Sequence, residues 1–252
     1  MTGIIMQLLV PVSYFFNTPR SEIWQLDVVS GSKLLVCTLG GSERDVRGKG
    51  ITGLGWLDDQ FLIACDFNRL LKIDRGSLSI VEAYEDDELN DLHSVSACEN
   101  FIYLANSGRD SIDVFNHQFK LLDRIDGLTD EELNKRITGD YVVNGGYFDS
   151  SGSGLPFHCR KVPDKWHFNY VFRAPKQLND KIIVTSFTSR NLLDAHTLDP
   201  VSLNLPVQPH DGVVSSGCVW ITTVSGQVYR ASLKIPLDFE MAVDLFKVAP
   251  YQ

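Results

Sequence analysis

At 252 residues and 44% apolar content, the chain is long enough to bury a sizeable core and too apolar for intrinsic disorder. Its 32 acidic residues against 23 basic ones give a formal charge of −9, which repels phosphate backbones and argues against nucleic-acid partners. The apolar stretch 4–16 is broken by Gln7 and Pro11, falls short of the roughly 18 residues of a spanning helix and has no basic residue ahead of it, so neither a membrane span nor a signal peptide is expected.

Five cysteines (Cys37, Cys65, Cys98, Cys159 and Cys218) make an odd count without a CxxC pair, and four of them sit in apolar, strand-like runs. That usage disfavours a disulfide framework or a zinc ribbon and fits a reducing, cytoplasmic setting.

In chain order, residues 5–14, 23–27 and 33–39 read as three strands. A fuller unit follows: a short strand with a small turn at 50–54, an apolar strand at 61–65, a polar loop and a third strand at 70–74, then a more variable fourth. The same unit recurs at 91–95, 102–105 and 111–116, at 167–171, 182–185 and 192–196, and at 209–213, 219–222 and 228–232. Thr52 and His93 lie 41 residues apart and Asn169 and Asp211 lie 42 apart, whereas His93 and Asn169 are separated by 76. The interval between His93 and Asn169 therefore carries an insertion of roughly 35 residues.

Short β-branched and aromatic strands repeating in units of four predict an all-β fold, a single β-propeller over 1–252 with four-stranded antiparallel blades. The N-terminal segment supplies the last three strands of a unit and lacks an innermost one, so the count is five blades. Six remains the alternative if the C-terminal stretch is a degenerate unit; residues 239–248 are otherwise candidates to return and pair with the N-terminal blade. Within the insertion, 127–165, Thr129-Asp130-Glu131-Glu132 predicts a helix start with a capping box. The Gly- and Ser-rich remainder reads either as a solvated loop or as a substrate cover contributed by Tyr141, Tyr147, Phe148 and Phe157. Glu85-Asp86-Asp87-Glu88 reads as an exposed acidic turn.

The first strand of each blade lines the axis of a propeller, so the alignment brings Thr52, His93, Asn169 and Asp211 to one level, with His167 and His210 close by. A carboxylate among imidazoles and an amide, with no Lys or Arg in the set, needs a protonated histidine, water or a cation. Neutral imidazole and carboxylate suit a divalent transition metal such as zinc, iron or manganese better than calcium or magnesium. The expected ligands are His93, His167, His210 and Asp211, with His158 a further ligand if the insertion folds over the channel. Catalytic candidates are Asp211 as general base, Asn169 as an orienting or carbonyl-binding group, and Thr52. This predicts a metal-dependent enzyme acting on a small molecule, by hydrolysis or lyase chemistry. The alternative is a non-catalytic binding module with a solvated channel. His117 and His196 fall in outer turns and read as surface residues.

Asn169-Tyr170-Val171 and Asp211-Gly212-Val213, each leading to an apolar strand, resemble the innermost strands of the gluconolactonase and senescence-marker propellers. The resemblance implies a divalent metal held by an asparagine and an aspartate, and lactone opening. The chain departs from that pattern in lacking a blade-one glutamate and in placing His93 where an amide is expected, and those enzymes are usually six-bladed. Metal-free NHL-type propellers share the framework. Asp91-Leu92-His93, Trp166-His167-Phe168-Asn169 and Pro209-His210 resemble signatures of a group of bacterial propellers over residues 50–235, which supports the three-histidine site and brings no reaction with it.

Overall fold

The computed structural model describes residues 7–13, 20–27, 29–40, 50–138, 157, 165–203 and 205–247. Five antiparallel sheets form the blades of a β-propeller. Blade one holds β1 (Gln7–Ser13), β2 (Arg20–Asp27) and β3 (Lys33–Gly40); blade two holds β4 (Gly53–Trp56), β5 (Phe61–Cys65), β6 (Arg69–Asp74) and β7 (Ile80–Glu85). Blade three comprises β8 (Leu92–Cys98), β9 (Phe101–Asn106), β10 (Ser111–Asn116) and β11 (Leu121–Asp126). After helix α1 (Asp130–Thr138), blade four has β12 (Phe168–Arg173), β13 (Ile182–Ser186) and β14 (Asn191–Asp194). Blade five has β15 (Pro209–Ser215), β16 (Cys218–Thr223), β17 (Gln227–Ser232) and β18 (Glu240–Asp244).

The blade-one strands are the second to fourth of a unit, as the repeat implied. A turn-capping side chain identifies them. Asp27, Asp74, Asn116 and Asp194 each end a third strand and accept backbone N–H groups of the turn that follows, from Val29 and Ser30, from Ser77, from Gln118 and Lys120, and from His196, at 2.8–3.0 Å. By that mark β2 is the counterpart of β6, β10 and β14. Packing agrees, because β1 lies against β4 as β5 lies against β8, β9 against β12 and β13 against β15.

The core is repeated between neighbouring blades rather than pooled in one centre. Ile63, Leu70, Leu92 and Leu104 are fully buried between blades two and three; Ala105, Ile112, Val171 and Val184 play the same part between three and four. First strands approach closely. A Cβ on Gly53 of β4 would meet the backbone of Ser94 and Val95 at 2.8 Å, so only glycine fits there.

Two outer positions depart from expectation. In blade four the chain after β14 runs beside it, with Val201 N–H donating to Leu192 O and the Ser202 hydroxyl accepting from Leu192 N–H. Pro200 and Pro206 in this stretch lack the N–H a regular fourth strand would use. In blade five, β18 pairs with β17; residues 240–244 thus complete their own blade instead of returning to the first, because the β17–β18 connection lets Glu240 and Met241 reach the edge of β17.

The helix forms where its cap was read: Glu132 N–H lies 3.3 Å from Thr129 Oγ1, and Thr129 N–H donates to Glu132 Oε2 at 2.9 Å. Of the cover residues, Tyr141, Tyr147 and Phe148 lie outside the described residues, as does His158. Phe157 is buried, and its carbonyl accepts from Asn90 Nδ2. The acidic turn is also only partly exposed. Glu88 accepts from Arg109 and from Arg124, and Asp86 from Tyr84, because two guanidinium groups lie over this loop.

Candidate axial site

The first strands share a local irregularity at the position the repeat singled out. In β8, Leu92 pairs with Asn106 and Ser94 with Ala105, so His93 is an extra residue bulged out of the ladder. Asn169 is the extra residue between Phe168 and Tyr170 in β12, and His210 and Asp211 fall in the shift between Pro209 and Gly212 in β15. Thr52 N–H bonds Cys65 O while Gly53 pairs with Cys65, a milder form of the same offset. A bulge releases a side chain from strict alternation and re-aims it. Two residues earlier, Gly50, Asp91 and His167 all adopt left-handed backbone with φ of 50–68°.

These positions are linked blade to blade. The Thr52 hydroxyl donates to Leu92 O at 2.7 Å, next to His93. The His93 and His167 rings meet edge to face with centroids 4.7 Å apart, and His93 Nδ1 lies 2.8 Å from Asp91 O. His167 also packs on Phe187 at 5.2 Å, and its carbonyl accepts from Phe187 N–H. Asn169 is 1% exposed and donates from Nδ2 to Pro209 O at 3.3 Å. The Thr185 hydroxyl donates to His210 O and accepts from Tyr170 N–H. Blade four thereby holds the main chain of the blade-five bulge on both sides of His210.

At that bulge, His210 Nδ1 and Asp211 Oδ2 are 3.2 Å apart, and both side chains are about half exposed. Burial chiefly, and then the negative charge of Asp211, push the Tyr170 phenol up to about 12, so it stays neutral beside that carboxylate across the physiological range.

Asn169 differs from expectation in one respect. With Nδ2 committed to Pro209 O, the atom left without a partner among the described residues is Oδ1, an acceptor in a buried position. It suits a hydroxyl or N–H donor rather than a carbonyl. Thr52 spends its donor on Leu92 O and acts as a brace between blades two and three.

The expected metal ligands form two pairs, His93 with His167 and His210 with Asp211. Among the described residues no group of three or more His, Cys, Asp or Glu side chains is placed to hold a metal ion. The described donors therefore do not make up a resident zinc, iron or manganese centre, and no step below is routed through one.

One polar cluster was not read from the sequence. Asp113, fully buried on β10, accepts from Ser111 Oγ at 2.8 Å and Asn106 Nδ2 at 3.1 Å, with Arg124 Nε 3.4 Å away. Arg109 bonds Glu88 and Asp126 beside it. Burial pushes the Asp113 carboxyl up to about 7. Arginines in a strand and a turn that each face acidic neighbours were the available signal.

The five antiparallel blades define the protein as a β-propeller. No family model and no curated protein sequence matches the chain significantly. Among solved structures it is similar to a protein of unknown function from Bacteroides caccae, at 9% identity and TM-score 0.61, over 98% of this chain and 76% of that one. It is also similar to a Bacteroides uniformis protein provisionally described as a 6-phosphogluconolactonase, at 14% identity and TM-score 0.55, over 93% of this chain and 66% of that one. A chain of the mitotic checkpoint complex matches at 12% identity and TM-score 0.53, over 94% and 74%. At these identities the likeness carries the fold. No described helix is long and apolar enough to cross a membrane.

Proposed function

We propose that the protein binds a small polar molecule at the axial end lined by His93, His167, Asn169, His210 and Asp211, and hydrolyses a lactone- or ester-like bond in it by general-base catalysis. The observation that carries this reading is the His210–Asp211 dyad, with Nδ1 and Oδ2 3.2 Å apart. A carboxylate on Nδ1 fixes the tautomer and leaves Nε2 basic, able to take a proton from water as that water attacks a carbonyl carbon. The carboxylate then stabilises the imidazolium formed. Asn169, buried with its Nδ2 on Pro209 O, holds the main chain that leads into the dyad, and the His93–His167 pair forms the wall beside it. The provisional lactonase description of one structural neighbour lends this chemistry modest support.

The test is turnover of a panel of sugar lactones and aryl esters by wild type, His210→Ala and Asp211→Asn proteins of equal thermal stability. Expected is a fall in kcat of about 10²–10⁴-fold for His210→Ala and a smaller loss for Asp211→Asn. Wild type that turns over no member of the panel, or variants that match it, would overturn the reading. Elemental analysis of untagged protein is expected to give the same metal content for wild type and a His93→Ala/His210→Ala double variant.

A further inference from the structure

A residue in the last turn of α1, residues 165–167 and the turn between β9 and β10 meet at one carboxylate. Asp110 is completely buried. Its Oδ1 accepts from His167 N–H at 2.8 Å. Its Oδ2 accepts from Lys165 N–H at 2.6 Å, Trp166 N–H at 3.1 Å and the Arg136 guanidinium at 3.0 Å. Arg136, the buried residue of α1, also donates to Gly108 O at 3.1 Å. Three successive backbone N–H groups and a guanidinium thus surround one anion, which answers its burial in full.

The last of those N–H groups belongs to the histidine whose ring lies 4.7 Å from that of His93. His167 has a φ of 50°, a region that a residue with a β-carbon seldom holds unaided. Glycine and aspartate occupy the equivalent places in blades two and three. In blade four a histidine stands there, and the Asp110 carboxylate from the preceding blade clamps its N–H while Phe187 N–H clamps its carbonyl.

We infer that Asp110 is the positioning residue of the axial site: it holds His167 in its left-handed conformation, so that the imidazole faces His93, and through Arg136 it ties α1 to that geometry. This rests on the axial reading above. It touches no substrate, and acts through His167.

The experiment follows the ring of His167 directly, so its outcome does not depend on finding a substrate. The imidazole Cε1–H cross-peaks of the full chain are recorded against pH, with His167 assigned by its loss in His167→Gln and His210 as the internal reference. In Asp110→Asn, at retained circular dichroism, the His167 and His93 signals are expected to move, while His210 stays in place. On a lactone that wild type turns over, kcat falls several-fold with KM within about twofold. A folded Asp110→Asn protein with His167 unmoved overturns the inference. Should that variant fail to fold, Arg136→Met decides: the same displacement at smaller amplitude is expected, and none overturns it. Wild type inactive on every lactone, with His167 still displaced in the variant, would remove the hydrolase reading and leave the role of Asp110 standing.

Discussion

Asp113 and Asp110 are both wholly buried carboxylates in blade three, yet their surroundings treat charge differently. Asp110 is ringed by three backbone N–H groups and a guanidinium. Asp113 meets a hydroxyl, an amide and one oblique guanidinium, and burial dominates. The groups facing it are Arg109 and Arg124, with Asp126, Glu88 and Asp86 as their counter-charges. Folded, Asp113 keeps its proton up to about pH 7, while the unfolded chain releases it near pH 4. Folding therefore takes up a proton between those values, and stability falls as pH rises through that window, by up to about 4 kcal/mol. An amide imitates the neutral acid. Asp113→Asn should gain roughly 1–3 kcal/mol relative to wild type between pH 5 and pH 8, measured by urea denaturation. An offset that does not vary with pH would contradict this. Glu132 works in the opposite sense: Thr129 N–H and then Lys165 hold its carboxyl down to about 2, so its contribution to α1 is present above the usual carboxylate value of 4.5 and is lost progressively as pH falls from there through about 2.

At the scale of strands, the first strands of blades three, four and five carry the bulges on which the site residues sit. The closeness of a first strand to the next blade can be tested at Gly53, where alanine would press on the backbone of Ser94 and Val95. Gly53→Ala should cost more than about 2 kcal/mol, since the backbone of β8 cannot yield; a thermal midpoint within a degree of wild type would refute that packing. Much of this level was legible in advance. The repeat placed Thr52, His93, Asn169 and Asp211 in register because strand spacing and turn residues are local signals. The capping box was legible for the same reason. The orientation of side chains was not. That Asn169 spends its N–H₂ on Pro209 O, that Thr52 bridges to Leu92 O, and that Asp110 gathers N–H groups from 55 to 57 residues away all depend on which carbonyl or amide the neighbouring blade presents. Spacing carries no such information. The two dispersed histidine pairs follow from this too, since residue type announced ligands while geometry parted them.

At the scale of the molecule the five blades are unequal. Blades two and three have four strands and share a core of fully buried Ile63, Leu70, Leu89 and Leu104. Blade one has three strands among the described residues and exposes Leu8, Leu34 and Leu35. Its contact with blade two runs through Ile23 and Leu39, both buried, and an apolar slot of about 150 Å³ lies between Leu8 and Leu9 of β1 and Leu54 and Trp56 of β4. Local opening follows the density of buried apolar contact. Amide hydrogen exchange should therefore release peptides spanning 7–40 well before those spanning 61–74 or 101–116. Uniform protection across all five blades would argue against this hierarchy. The blade count was readable from the repeat, whereas completion of blade five by β18 was not, because pairing partners of an outer strand are chosen by what lies alongside.

The bulges have a consequence for how such a centre arises. His93 and Asn169 are surplus to the hairpins that carry them: on either side the cross-strand partners continue in step. Excising His93 should splice β8 into unbroken register, leaving a propeller that folds without one imidazole of the proposed site's wall. The proposed chemistry is then separable from the scaffold, because the register of β8 and β12 does not need the residues that would carry it.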